Sequence, residues 1–441
     1  MAIRKPLDLP EIREALATFL TSDDLARCVR VSKGWHTLFL PYLWSTIDIR
    51  PKCRKRPPSL EAMQRYKDHV RHLTYLYQGK SPDGYQSLQF PALTTLHMHI
   101  PYEKNQDIEI VGSHSSLTHL KLTNSTFNKI KWIPPAGLSN LTSLNLTRIA
   151  VELHDKDMGW SLLSKLETLE LSQSSISTLF ESMMGSCRIR YLRLGALVGL
   201  TPKEQLKWIE HCTYLKRLTW YPTYSLTSTL TEDIAQLAAA NTWPDLEEFH
   251  TSSFMATDRQ ASLIINGMRR VLGFTINFTQ PFDLVKTALQ PHFPWLKRLT
   301  TTRSCATNSG FAIELLKSCP QLEGLRMGPI QVRDMLDDDT PWACESSLRY
   351  LGGGFNINDG TEEAGQRVLL ERLSRFRNLE SLDLVCQPPR PKTLDLRLES
   401  GLDQLVTLTQ LRVITVFHTR PGMTMNEVKW MIKHWKNLKS V

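Results

Sequence analysis

LTTLHM at residues 93–98, LTHLKL at 117–122, LTSLNL at 141–146 and LETLEL at 166–171 are one phrase, L-x-x-L-x-L, written four times. Its second half alternates apolar and polar residues with a period of two, the pattern of a strand that buries one face. Working outward, the phrase continues as IRYLRL from Ile189, LKRLTW from Leu215, LEEFHT from Leu246, VLGFTI from Val271, LKRLTT from Leu296 and LEGLRM from Leu322, with later copies from Leu348, Leu379 and Leu411. A weaker first copy, VRHLTY, begins at Val70. Successive starts lie 23 to 26 residues apart, stretching to 31 or 32 at three places. A unit this short cannot bury its own face, so neighbours must stack to make a core.

Phe90, Cys212, Trp243, Phe293, Cys319 and Phe376 each stand three residues before a phrase, where they are expected to pack. Between phrases lie helical patterns such as PKEQLKWIEHC, FAIELLKSC, GQRVLLERLSRF and MNEVKWMIKHW. Strand, loop and helix therefore repeat, as in a leucine-rich-repeat solenoid: an α/β fold with a curved parallel sheet and outer helices, about 13–14 repeats over residues 70–441. WKNLKSV opens another copy at Leu438 and stops, which implies either a minimal cap or a natural chain that has lost residues. The repeat identifies a scaffold and leaves function to particular sites.

Residues 1–50 read differently. Pro10 suits the first turn of a helix carrying Ile12, Leu16, Phe19 and Leu20. Thr21 and Asp24 have capping-box spacing, so a second helix is expected from Ser22, with Leu25, Cys28 and Val29 on one side and a break near Val31–Ser32 or Gly34. Trp35, Leu38 and Phe39 give a third apolar face that Pro41 should end, before Leu43 and Trp44. Fewer than fifty residues hide little of such surface by themselves. Either the next domain or a separate protein covers the remainder.

Leu9-Pro10, Leu20, Asp24-Leu25, Cys28, Val31-Ser32-Lys33, Trp35, Pro41 and Leu43-Trp44 together resemble an F-box over about residues 7–47. The VSK-x-W and P-x-LW ending is similar to fungal members, whereas Pro-Glu-Ile departs from the more common Pro-x-Glu-Leu-Leu opening. With the repeats, essentially the whole chain resembles F-box proteins with leucine-rich repeats. The resemblance implies docking onto a Skp-type adaptor of a cullin-RING ubiquitin ligase through Leu9, Pro10, Leu20, Leu25, Cys28, Val31, Trp35, Pro41 and Trp44. It implies no catalysis by this chain and no cofactor.

Composition fits that reading without requiring it. Charged residues make up 22% and hydrophobic residues 41% of the 441, with no apolar run long enough to span a bilayer and no secretory signal at the N-terminus. An intracellular, cytoplasmic or nuclear setting is expected, and eight dispersed cysteines without a Cys-x-x-Cys pair are expected to be reduced. The Asn-x-Ser/Thr matches at Asn124, Asn140, Asn145 and Asn277 are then discounted as glycosylation sites. PKCRKRPP at 51–58 concentrates Lys52, Arg54, Lys55 and Arg56 between prolines and reads as a linker within a lead-in spanning 51–69. With the net charge of +9 it also motivates a nucleic-acid-binding alternative, which we rank last. No phosphate loop, dinucleotide fingerprint, His-Glu-x-x-His helix or Gly-x-Ser-x-Gly elbow is present, and the pairs His69/His72 and His97/His99 lack a third metal ligand at a recognisable spacing. DMLDDDT at 334–340 reads as a solvated acidic loop.

If the second and third leucines of each phrase point inward, the residues between them form an outward row including His97, His119, Lys121, Asn145, Glu170, Arg193, Arg217, Glu248, His250, Arg298, Arg326, Tyr350 and Asp383. Basic side chains outnumber acids there. Arg193, Arg217, Arg298, Arg326 and Tyr350 are the expected substrate contacts, with Gly324, Gly328, Gly352 and Gly354 leaving room near the last two. Arginine's planar fork suits an acidic or phosphorylated protein segment. Loops at 221–229, 352–365 and 386–401 lengthen three repeats and would flank such a ligand. The expected function is substrate recognition within a ubiquitin ligase; the alternative is a non-catalytic repeat scaffold whose helical N-terminus is a cap.

Overall fold

The structure, a computed structural model, describes residues 9–50, 57–76, 88–100, 114–124, 131–132, 138–151, 164–176, 188–222, 227–278, 282–301, 309–336, 340–357, 362–384, 394–416 and 423–440. It divides into two compact units, Met1–His211 and Cys212–Val441.

The first unit opens with helices α1 (Pro10–Phe19), α2 (Ser22–Cys28) and α3 (Lys33–Ser45). Pro10 sits in the first turn of α1, where its missing N–H is no loss. Thr21 and Asp24 close the capping box of α2: the Thr21 hydroxyl accepts from Asp24 N at 3.2 Å, and the Asp24 carboxylate accepts from Thr21 N at 3.2 Å. Those bonds hold the Asp24 carboxyl below its usual range, the hydroxyl contact contributing most. Ser32 caps α3 by accepting from Trp35 N at 3.2 Å. Pro41 was expected to end this helix but lies inside it. Packing outweighs the lost hydrogen bond: Phe39 is buried before the proline, and Trp44 lies 4.6 Å from the Tyr66 ring after it.

Strand β1 (Thr46–Ile49) follows α3 directly, within the residues read from sequence as helical, and α4 (Leu60–Tyr66) leads to β2 (His72–Tyr75). Strands β3 (Thr95–Ile100), β4 (His119–Asn124), β5 (Ser143–Thr147), β6 (Thr168–Ser172) and β7 (Tyr191–Gly195) come from successive phrases, and α5 (Pro202–His211) closes the unit. All neighbouring strands are parallel and in phase, with His72, Thr95, His119, Ser143, Thr168 and Tyr191 side by side. Leu73, Leu96, Leu120, Leu144, Leu169 and Leu192 therefore stack into one buried row. Burying each such side chain contributes about 1.5–3 kcal/mol. Between residues 88 and 201 the described connections contain no α-helix.

The second unit comprises β8 (Arg217–Tyr221), α6 (Ser228–Ala239), β9 (Glu248–Ala256), α7 (Asp258–Asn266), β10 (Gly273–Phe278), α8 (Asp283–Leu289) and β11 (Arg298–Thr300). It continues through α9 (Ser309–Ser318), β12 (Gly324–Arg326), β13 (Tyr350–Gly352), α10 (Glu362–Ser374), β14 (Ser381–Asp383), β15 (Val413–Thr415) and α11 (Met425–His434). Ser440 bridges to Val413, so the phrase at Leu438 joins the sheet. Helices tie repeat to repeat: the Asp258 carboxylate accepts from Leu284 N and Val285 N, both at 2.9 Å, capping α8 from the neighbouring helix.

The residues placed three before each phrase are buried, from Phe90 through Phe376. Cys212, Cys319 and Cys344 are buried and form no disulfide. Burial, with Cys344 and Glu314 nearby, pushes the Cys319 thiol up to about 12, so it stays neutral. The other four cysteine positions that lie beyond Cys28 (53, 187, 305 and 386) fall outside the described residues, as does the basic run at 51–56. Of the three long connections, 223–226, 358–361 and 385–393 also lie outside, as do 337–339 of the acidic stretch. Thr227 caps α6, so the first of these loops ends sooner than its composition implied.

The glycine triplet behaves as a bend. Gly353 has φ +110°, and a Cβ there would lie 1.6 Å from the Met327 carbonyl oxygen. Only glycine fits.

Candidate functional site

Two surfaces carry the residues singled out above, one on each unit. On the first, α1 has no buried residue. Ile12, Leu16 and Phe19 are 38%, 41% and 87% exposed, and Val31 beyond α2 is 63% exposed. Spacings of four and three put the α1 residues on one stripe of the helix. Ala17 and Leu20, adjoining that stripe, are only half-buried.

Of the nine residues read as adaptor-facing, Pro10 and Val31 are exposed, while Leu9, Leu20, Cys28, Trp35, Pro41 and Trp44 are half-buried. Leu25 is buried at 7% exposure and packs within the helices. Trp35 lies against Phe39 with ring centroids 5.3 Å apart. The aromatics thus serve mainly to assemble the helices, and the outward apolar surface is supplied by Ile12, Leu16 and Phe19. These three were legible as an amphipathic face, but their direction was not.

On the second unit the register decides which charges meet. Arg217 and Glu248 share a position on β8 and β9. The Glu248 carboxylate accepts from the Arg217 guanidinium at 2.5 Å and contacts His250 Nε2 at 3.2 Å, while His250 Nδ1 lies 2.9 Å from the Thr275 hydroxyl. Burial works against ionisation of Glu248, yet the bonds from His250 and Arg217 outweigh it and bring its pKa to about 2. Gly273 leaves room for the imidazole, since a Cβ there would be 3.1 Å from His250 Cε1.

Arg298 pairs with Glu323 at 3.2 Å, and Arg326 pairs with Asp383 at 3.2 Å. Tyr350 and Arg326 do come together over Gly352, where a Cβ would stand 2.6 Å from the Tyr350 hydroxyl and 3.3 Å from Arg326 Cγ. The Tyr350 hydroxyl donates to Asp383 at 3.5 Å, and burial together with that carboxylate pushes its phenol up. Three of the four arginines expected to grip an anion are therefore already held by carboxylates on this face. Glu323 was missed from the sequence because it stands one residue before its strand and reaches Arg298 only through the register.

Arg193, on the first unit, is exposed beside Glu170, its register partner, and forms no ion pair among the described residues. Along the same face His97 adjoins Lys121. Burial first, then Lys121, Arg50 and His99, depress the His97 imidazole to about 4, so it is neutral near pH 7. Among the described residues no cluster of three or more His, Cys, Asp or Glu could hold a metal ion, and no helix is long and apolar enough to cross a membrane.

Comparison with known proteins returned no matching family model and no matching curated protein. Solved structures do overlap it. A Leptospira interrogans LRR protein is 14% identical, with a TM-score of 0.40 over 88% of this chain and 87% of that one. TLR13 in its complex with ssRNA13 is 14% identical, with a TM-score of 0.39 over 91% of this chain and 58% of that one. An internalin from Listeria monocytogenes is 12% identical, with a TM-score of 0.33 over 95% and 99%. The assignment rests on the strand register rather than on overlaps this loose. Each unit is a run of leucine-rich repeats.

Proposed function

We propose that this chain is the substrate-recognition subunit of an SCF-type cullin-RING ubiquitin ligase, in which α1–α3 dock a Skp-type adaptor and the repeats hold a target protein. What carries the proposal is α1: a ten-residue helix with none of its residues buried, whose apolar stripe of Ile12, Leu16 and Phe19 faces outward. Isolated apolar side chains on a surface need no partner, but a helical stripe is the form a helix-binding groove would receive. The chain contributes no catalysis. It raises the effective concentration of a target lysine near activated ubiquitin, and the bond chemistry belongs to partners.

A second reading, a repeat scaffold capped by the helices, is favoured by one observation: α3 runs straight into β1, which pairs with β2 from Thr46↔His72 to Ile49↔Tyr75. Strand β1 is thus reached directly from the helices, as a cap would require. Co-purification with a Skp-type adaptor separates the two. Leu16→Asp/Phe19→Asp alters only exposed side chains, so its circular dichroism is expected to match the intact chain while adaptor capture falls more than tenfold, the equivalent of over 1.4 kcal/mol. An intact chain that never captures the adaptor leaves the scaffold reading, whereas capture that survives the double change removes the α1 stripe as the docking surface.

A further inference from the structure

The opposite flank of α1 faces a cleft of about 600 Å³ in the first unit, walled by α1, α2, α3 and residues 68–72, with Ala92 beyond. Its volume is that of a small-molecule site. Six acidic or basic side chains line it: Arg13, Glu14, Asp68, His69, Arg71 and His72. None of the six forms a side-chain hydrogen bond or ion pair among the described residues, in contrast to Arg217, Arg298 and Arg326 of the second unit, each held by a carboxylate.

Depth sorts these groups. Glu14, Asp68, Arg71 and His72 are exposed, whereas Arg13 and His69 are half-buried. Arg13 Nε is closed off from solvent and has no partner. With Nε closed off, the terminal nitrogens of the guanidinium, also without a partner among the described residues, are the ones a ligand oxygen would meet, and charge-assisted bonds to arginine are the strong ones. Ala17, Leu20, Leu25, Leu38 and Pro41 supply apolar wall in the same cleft. The carboxylates Glu14 and Asp68, being exposed, are hydrated and oppose an anion less than Arg13 attracts it.

We infer that this cleft binds a small organic acid: a carboxylate or phosphate monoester on a compact apolar body, its oxygens at Arg13 and its body against Leu25, Leu38 and Pro41. Titration calorimetry on the full chain tests this with four probes: phenylphosphate, phenylacetate, inorganic phosphate and benzyl alcohol. Saturable one-to-one binding is expected for at least one of the two aromatic anions, and which one binds tells phosphate from carboxylate. Inorganic phosphate is expected to bind at least tenfold more weakly, and benzyl alcohol not at all. Arg13→Lys, which keeps the charge and removes the guanidinium fork, is expected to weaken the anion at least tenfold, and Leu38→Trp, which fills the cleft, to abolish binding with Arg13 intact. Phe19→Asp, on the other flank of α1, leaves it unchanged, so this site and adaptor docking fail or succeed separately. Absence of saturable binding by both aromatic anions, or binding undiminished in Arg13→Lys and Leu38→Trp, overturns the inference.

Discussion

The two units share one backbone device and fill it with opposite chemistry. In the first, the carbonyl of Arg71 accepts from the N–H groups of Thr94 and Thr95, that of Thr94 from Thr118 and His119, and that of Thr118 from Thr142 and Ser143. The same fork recurs in the second unit at Lys216, Leu272, Lys297, Glu323, Arg349 and Glu380. The side chain at the forked position differs. Thr94, Thr118 and Thr142 each turn a hydroxyl back onto the carbonyl one strand earlier, at 3.0 to 3.1 Å. In the second unit that row reads Lys297, Glu323, Arg349, Glu380 and Arg412, joined by Lys297–Glu323 at 3.6 Å, Arg349–Glu380 at 3.5 Å and Arg412–Glu380 at 3.3 Å. Three successive forks of the first unit, at Thr94, Thr118 and Thr142, are laced by neutral hydrogen bonds, and the run from Lys297 to Arg412 in the second by partly exposed ion pairs. Register thus depends on the backbone, while response to salt and acid depends on which side chains the register aligns.

The largest test of the shared device is its core. Trp220 is fully buried in β8, and Trp220→Ala is expected to destabilise the second unit by about 3–5 kcal/mol in urea unfolding, leaving the first unit's transition in place. Acid sharpens the contrast next. The His97 pKa is lowered to about 4 in the folded state against about 6.5 unfolded, so unfolding takes up a proton; its stability is complete above pH ~6.5 and falls as pH drops towards 4. His97→Gln is expected to flatten that limb by on the order of 2–3 kcal/mol, read from urea midpoints across pH 7 to 4.

Glu248 titrates lower. Its folded value of about 2 against ~4.3 unfolded means that its stability is present above the unfolded value and lost as pH falls through 4 towards 2. Glu248→Gln is expected to cost about 1–3 kcal/mol at pH 7 and to remove that lower limb. The smallest effects compare the two lacings. Thr118→Val is expected to cost about 1 kcal/mol at any ionic strength. Glu380→Gln, which loses two partly exposed pairs, should cost less than about 1 kcal/mol, and nothing measurable in 1 M NaCl. Equal salt sensitivity in both variants would dissolve the distinction between the units.

Much of this was legible because leucine spacing fixes the strands and the period of two fixes their faces. Thr21 with Asp24 announced α2, and Pro10 announced α1. Pro41 misled because a local rule was overruled by the packing of Phe39 and Trp44 on either side. The ion pairs were hidden for another reason: Arg326 and Asp383 are 57 residues apart in sequence, and only two intervening strand registers bring them to 3.2 Å. The cleft was hidden likewise, since Arg13 and His69 belong to segments read as separate domains. The exposure of Ile12, Leu16 and Phe19 could not be read at all, because a helical stripe has the same sequence whether its partner is its own chain or another.

The forked carbonyl has a consequence for how such a chain changes over generations. Because both of its donors are main-chain N–H groups, any residue except proline can occupy the forked position without unthreading the strand. Threonine, lysine, glutamate, arginine and leucine all stand there in this one chain. Mutation can therefore rewrite the charge carried by one repeat while its neighbours keep their alignment, so that new recognition is explored one repeat at a time, without refolding the whole.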